Sequence, residues 1–223
     1  QFKYQEFYPT DRKDLPQFLR SYCFFSYLYK NIENKVIEES FLDPVQNIKA
    51  LINELSRCKS IPDLKLWCPH LRNFDSYSLE SKTNLKILNL FKQLPNSNWV
   101  SIDDLIGYIK VNDFDIKIRK NECYSWHDIY YLKKEKSYYG STKIKINNHN
   151  EKDLMLLPVL KAKSFLFASF GLLDIGYDAP INNLWKENGK EYLTMFDGLK
   201  YMRLTSLGKY VLGKTNKISS KGK

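Results

Sequence analysis

Between Lys117 and Lys145 the chain carries eight basic residues, Lys117, Arg119, Lys120, Lys133, Lys134, Lys136, Lys143 and Lys145, against three acids, Glu122, Asp128 and Glu135. Tyr124, Trp126, Tyr130, Tyr131, Tyr138 and Tyr139 are interleaved with them. Ammonium groups neutralise phosphates and release condensed counterions, and phenol hydroxyls add hydrogen bonds to phosphate oxygens. The composition therefore suits a nucleic-acid backbone, with Tyr130 counted among the contacting residues. Solvated lysines beside a tyrosine-lined core give the same composition. Arginine, the usual bidentate reader of guanine, is scarce here. Phosphate contact without strong sequence reading is the expectation, with double-stranded DNA as the partner. Lys200, Arg203 and Lys209 add a second, sparser basic group; on a strand, Lys200 and Arg203 point to opposite faces, so at most one of them need face a ligand.

Other chemistries find less support. Cys68-x-His70 and Cys123-x-x-x-His127 could meet as a Cys2His2 zinc site, but the spacing matches no common zinc module and buried thiols explain it better. No Gly-rich phosphate loop and no nucleophile-elbow motif occurs. Asp103-Asp104 and Asp113-x-Asp115 read as helix-capping and loop acids. No catalytic residue, metal or cofactor is expected, and the reading is of a non-enzyme. The four cysteines, Cys23, Cys58, Cys68 and Cys123, form no CxxC and suit reduced cytoplasmic thiols. No stretch is long and apolar enough for a transmembrane helix and no signal peptide is visible, so no membrane partner is expected. The chain opens on Gln1, which suggests a piece of a larger protein.

The net charge of +10 is unevenly placed. Residues 1–80 hold 11 Lys and Arg and 11 Asp and Glu; the rest of the chain holds 24 and 14, so the whole excess lies there. Such asymmetry points to a polyanion partner or to a basic surface that is merely solvated.

The elements that must position these residues follow from periodicity. Residues 13–31 place Leu15, Phe18, Leu19, Tyr22 and Tyr29 on one helical stripe. Asp43-Pro44 is a helix start, and Val45, Ile48, Leu51, Ile52 and Leu55 share the face of the helix it opens. Residues 1–80 read as a neutral helical domain, a candidate surface for a protein partner. Ser81 or Thr83 caps a helix to Leu94, Trp99-Val100 is a short strand, and Ser101 caps a helix to about Val111. Residues 124–136 supply a third helix and residues 137–147 a two-stranded turn; 112–123 fits least well. Residues 151–175 read as one long helix with Pro158 near its start.

In the last segment, Asp197-Gly198 signals a tight hairpin turn with positive φ. Leu199–Leu204 extends as a strand, Thr205 or Ser206 caps a short helix, and Gly213 ends it. The tail 214–223 is read as disordered. This grammar, with Leu204-Thr205-x-x-Gly208 followed by Val211 and Leu212, resembles the wing-to-last-helix segment of winged-helix proteins. The resemblance covers about twenty residues at 192–213 and, more loosely, 81–148. It implies a mainly α fold with short β-hairpins: a helical part over 1–80, a winged-helix-like module over 81–148 and a degenerate one over 151–213. DNA binding is the role the family implies, and protein-protein interaction is the alternative it also serves.

Overall fold

The computed structural model describes residues 43–57, 71–72, 82–112, 114–118, 130–134, 141–177 and 195–218. The expected helix over 13–31, most of the connection at 60–80 and the cysteines and histidines of the zinc alternative lie outside these residues. Helices predominate among the described residues, with two three-stranded antiparallel sheets.

Helix α1, Pro44–Arg57, starts as its sequence requires: the Asp43 carboxylate accepts from the Val45 and Gln46 amides, both at 3.1 Å. Its apolar face buries Ile52 and half-buries Ile48 and Leu51. Helix α2, Thr83–Gln93, buries Ile87, Leu88, Leu90 and Phe91. No side chain caps it; Thr83 lies inside the helix and its hydroxyl donates to the Lys117 carbonyl at 2.5 Å. After the break at 94–99 come strand β2, Val100–Ser101, and helix α3, Ile102–Val111. Here the expected cap is present, with the Asp104 amide donating to Ser101 Oγ at 2.9 Å.

Strand β1, Leu71–Arg72, precedes this block and pairs with β3, Tyr130–Lys134, which pairs in turn with β4, Ser141–Lys145. The helix expected over 124–136 is therefore wrong at 130–134. Aromatic residues favour a strand, and the alternating Ser141–Lys145 segment offers five residues of register. Residues 114–118 form neither helix nor strand. They are pinned by the Thr83–Lys117 hydrogen bond and by the Ile118 amide, which donates to the buried Glu151 carboxylate at 2.8 Å.

The long helix expected over 151–175 is shorter and has two parts. Lys152–Leu156 is a π-helix, and Leu157–Ser169 is helix α4. Pro158 lacks the N–H that would close an α-type bond to the carbonyl four residues back, and the preceding Leu157 amide reaches Lys152, five back, instead. Helix α4 stops where Gly171 takes φ +73°. The Gly171 amide donates to the Ala168 carbonyl and the Leu172 amide to that of Phe167, a paired closure that satisfies the last carbonyls. Strand β5, Leu173–Tyr177, follows at once.

The second sheet has the order β2-β6-β5, with β6 spanning Leu199–Leu204. Asp197-Gly198 is not a two-residue hairpin turn. Met195–Gly198 is a single 3₁₀ turn, and Gly198 lacks the positive φ that such a hairpin demands. What holds Asp197 is Lys161 of α4, whose Nζ lies 3.1 Å from the Asp197 carbonyl and 3.2 Å from its carboxylate. Helix α5, Ser206–Val211, is capped by Thr205, with the Gly208 amide 2.9 Å from Thr205 Oγ1. Gly213, at φ +74°, closes it as the sequence suggests. The tail is not free at its start, since Lys214 Nζ donates to the Leu94 carbonyl at the end of α2.

The core is centred on α4. Phe165 packs on Phe196 and Tyr177, and Phe167 on Phe91, with ring centroids 4.9–5.4 Å apart. Residues 158–168 are buried without exception. Strand β2 comes from the stretch 81–148 and β6 from 151–213, so both stretches contribute to one sheet.

Candidate interaction surface

The basic residues do not converge on one place. Arg119, Lys120 and Lys136 lie outside the described residues. Tyr130, Lys133 and Lys134 on β3 and Lys143 and Lys145 on β4 do come together on one ribbon: Tyr130 is opposite Lys145, Lys133 opposite Thr142, and Lys143 opposite Leu132. Lys145 is exposed.

Lys117 sits by the first turn of α2, in a cluster with Lys86 and Asp115. The Asp115 carboxylate lies 3.3 Å from Lys86 and 3.4 Å from Lys117. Burial works against ionisation of this carboxyl, but the hydrogen bond and charge of Lys86, joined by Lys117, outweigh it and hold its pKa below the usual aspartate value. Lys209 belongs to α5, near Lys214, which reaches the opposite end of α2. Burial, and then the Lys209 charge, lower the Lys214 pKa. An eleven-residue helix is about 16 Å long, so Lys117 and the Lys209–Lys214 pair are separated by roughly that distance along α2.

Strand β6 carries the remaining two. Lys200 is exposed. Arg203 is committed within the fold: its Nη2 and Nε lie 2.7 and 3.2 Å from Asp174 Oδ2, and its guanidinium stacks 4.7 Å over the Trp99 ring.

That contact defines a surface absent from the sequence reading. Strand residues alternate between the two faces of a sheet. Met202 and Leu204 of β6 are buried, so Tyr201 and Arg203 face outward. Asp174 is the β5 partner of Arg203 and Gly176 that of Tyr201, while Ser101 of β2 flanks Tyr201 on the other side. The outer face thus has one row of Trp99, Arg203 and Asp174, and a second of Ser101, Tyr201 and Gly176. Tyr201 is 52% and Trp99 47% exposed. Gly176 keeps the flank of Tyr201 clear; a Cβ there would come 3.3 Å from Tyr201 Cβ. On the other flank Ser101 Oγ donates to Asp104 Oδ2 at 2.7 Å, which fixes that carboxylate at the first turn of α3. The one sequence signal for this face was the alternation of Tyr201 and Arg203 with Met202 and Leu204.

Among the described residues no group of three His, Cys, Asp or Glu side chains is placed to hold a metal ion, and no helix is long and apolar enough to cross a membrane. Comparison with protein families, curated proteins and solved structures finds no match to the chain.

Proposed function

We propose that the chain is a non-catalytic binding module whose partner is a protein. In this reading residues 83–212 follow a single winged-helix-like order: α2, β2, α3, then the segment 112–150 as an insertion, then α4, β5, β6 and α5. Support for that order comes from the sheet sequence β2-β6-β5, in which the strand after the first helix pairs with the last strand. The observation that carries the functional reading is the burial of α4, the third helix of that order, along residues 158–168. A helix with no free face has nothing to lay into a major groove, which is how helix-turn-helix proteins read base edges. Among the described residues, the exposed Trp99 and Tyr201 on the sheet offer aromatic surface to a partner.

A second reading, phosphate-dominated binding of duplex DNA, is favoured by the β3–β4 ribbon that gathers Tyr130, Lys133, Lys134, Lys143 and Lys145, and by the net charge of +10. A labelled 30-base-pair duplex titrated with the full chain at 50 and at 200 mM NaCl separates the two. The protein-partner reading expects dissociation constants no tighter than about 10⁻⁴ M at either salt. Tight association at 50 mM that weakens by about 10³-fold at 200 mM overturns it in favour of DNA.

A further inference from the structure

We propose that a lysine cluster, formed where the C-terminal end of α2 meets α5 and the segment after it, docks an acidic peptide segment of the protein partner. This rests on the protein-partner reading and deepens it by naming the chemistry of the segment bound. Four lysines gather at this end of α2. Lys92 is exposed in the last turn of the helix. Two residues on, the Leu94 carbonyl accepts from Lys214 Nζ. The Lys214 amide donates to the Lys209 carbonyl at 2.8 Å, which ties these two lysines together. Lys217 is exposed three residues beyond, in a turn where its carbonyl accepts from Thr215 Oγ1 at 3.0 Å. The two stretches of chain that meet here, residues 81–102 and 198–223, contain no Asp or Glu.

Elsewhere the fold supplies its own counter-charges: Lys161 has Asp197, Lys86 and Lys117 share Asp115, and Arg203 has Asp174. Among the described residues no carboxylate lies within ion-pair distance of Lys92, Lys209, Lys214 or Lys217. The negative end of the α2 dipole accounts for one cation there, Lys214, and not for four. A cluster of one sign repels itself and draws in an anion. A nucleic-acid backbone is also anionic, and the layout decides between the two. Duplex DNA carries one charge per about 1.7 Å of its axis and is held by basic groups spread along it. Here the unpaired lysines stop within the length of α2, because the other end of that helix, about 16 Å away, holds Lys86 and Lys117 with Asp115 paired to both. Lysine is a point charge without the planar fork of arginine, so it asks for carboxylates and not for one bidentate geometry. Ile218, 42% exposed, adjoins Lys217 and offers an apolar contact to an aliphatic residue among those carboxylates.

The test is fluorescence anisotropy at 50 mM NaCl with the full chain and three labelled probes: a peptide of four Glu-Glu-Leu repeats, its counterpart of four Gln-Gln-Leu repeats, and a 30-base-pair duplex. The expected result is saturable binding of the Glu peptide, none of the Gln peptide, and duplex binding weaker than that of the Glu peptide. Lys92→Gln, Lys209→Gln and Lys217→Gln combined should weaken the Glu peptide by about 10-fold, the scale of three exposed charge contacts. Lys214 is left in place because it holds the end of α2. Lys110→Gln, Lys152→Gln and Lys200→Gln combined remove the same charge from exposed positions elsewhere and should bind like the parent; circular dichroism checks that both variants are folded. Absence of saturable Glu peptide binding overturns the proposal. So does equal binding of the Gln peptide, or an equal loss in the two triple variants, which would make the attraction one of net charge alone. A duplex that binds more tightly than the Glu peptide and is weakened by the first variant would make the cluster a phosphate site and overturn the protein-partner reading with it. A Glu peptide that fails while the duplex also fails removes this inference and leaves the protein-partner reading in place.

Discussion

Two lysine–aspartate sites show how little a count of charges says about a charge's role. Lys161 and Asp197 are 3.2 Å apart, with side chains only 11% and 9% exposed. Lys86, Lys117 and Asp115 lie at nearly the same spacing, yet the side chains are 31%, 41% and 61% exposed. Water screens the second site and is excluded from the first, so similar geometry has different consequences. Lys161 joins the turn before β6 to the central helix and is a structural residue. Lys117 holds a surface loop and stays within reach of solvent. In the amino-acid sequence both are simply lysines in the basic part of the chain.

The contrast can be broken from its strong side first. Asp197→Ala strands the Lys161 ammonium in the core, and we expect a loss of about 3–5 kcal/mol in urea unfolding. Replacing both partners, Lys161→Met with Asp197→Leu, should recover most of that loss, because no buried charge is then left alone. An equal loss in the double variant would mean that the carbonyl contact of Lys161, not the charge pair, holds the turn.

Gly208→Ala tests the same region without touching a charge. A Cβ at that position would lie 2.0 Å from the Leu172 carbonyl oxygen, so backbone must move. We expect about 1–3 kcal/mol of destabilisation, and more if α5 detaches from the sheet. Gly171→Ala, at φ +73°, should lower stability by about 1–2 kcal/mol through left-handed strain alone, since its nearest neighbour, Leu207, is at an ordinary 3.6 Å.

The smallest effect belongs to the exposed site. Asp115→Asn should change stability at neutral pH by less than about 1 kcal/mol. Because the folded state holds the Asp115 pKa below its unfolded value, its contribution is present above the unfolded pKa and fades as pH falls through the folded one. Acid titration of the parent and the variant should therefore converge at low pH. Addition of 1 M NaCl should shrink the Asp115 effect and leave that of Asp197 nearly unchanged.

Local grammar predicted the ends of the chain's elements unevenly, for physical reasons. The Thr205 cap, strand Leu199–Leu204 and the Gly213 stop were legible because cap, strand and stop are all short-range. Gly171 closes α4 by the same paired amide–carbonyl pattern as Gly213, yet it was read through. The difference is that Gly213 is followed by polar residues, whereas Gly171 lies inside the apolar run of 164–175. Asp197-Gly198 misled because a hairpin signal is only a preference, and Lys161, thirty-six residues earlier, takes both polar groups of Asp197. Tyr130–Lys134 reads as helix only from its position in an expected order; its strand partners lie at Leu71–Arg72 and Ser141–Lys145, outside any local window. Of the aromatic face, only the alternation of Tyr201 and Arg203 with Met202 and Leu204 is legible in the sequence. Trp99 and Arg203 meet only because β2 pairs with β6, and no periodicity within either segment records that pairing.

The same pairing sets an order of events during synthesis. Val100 and Ser101 find their partners in Met202 and Tyr201, about a hundred residues later. Strand β5, Leu173–Tyr177, waits for β6 as well, but over a much shorter stretch of chain. The β2–β6 contacts require a large loop to close first and slow the search for the native state. A nascent chain stopped before Leu199 would hold α2, α3 and α4 with their apolar faces uncovered, a species that invites aggregation or chaperone capture. Folding of this half of the molecule is thus expected to complete only after its last strand has left the ribosome, late and in one step.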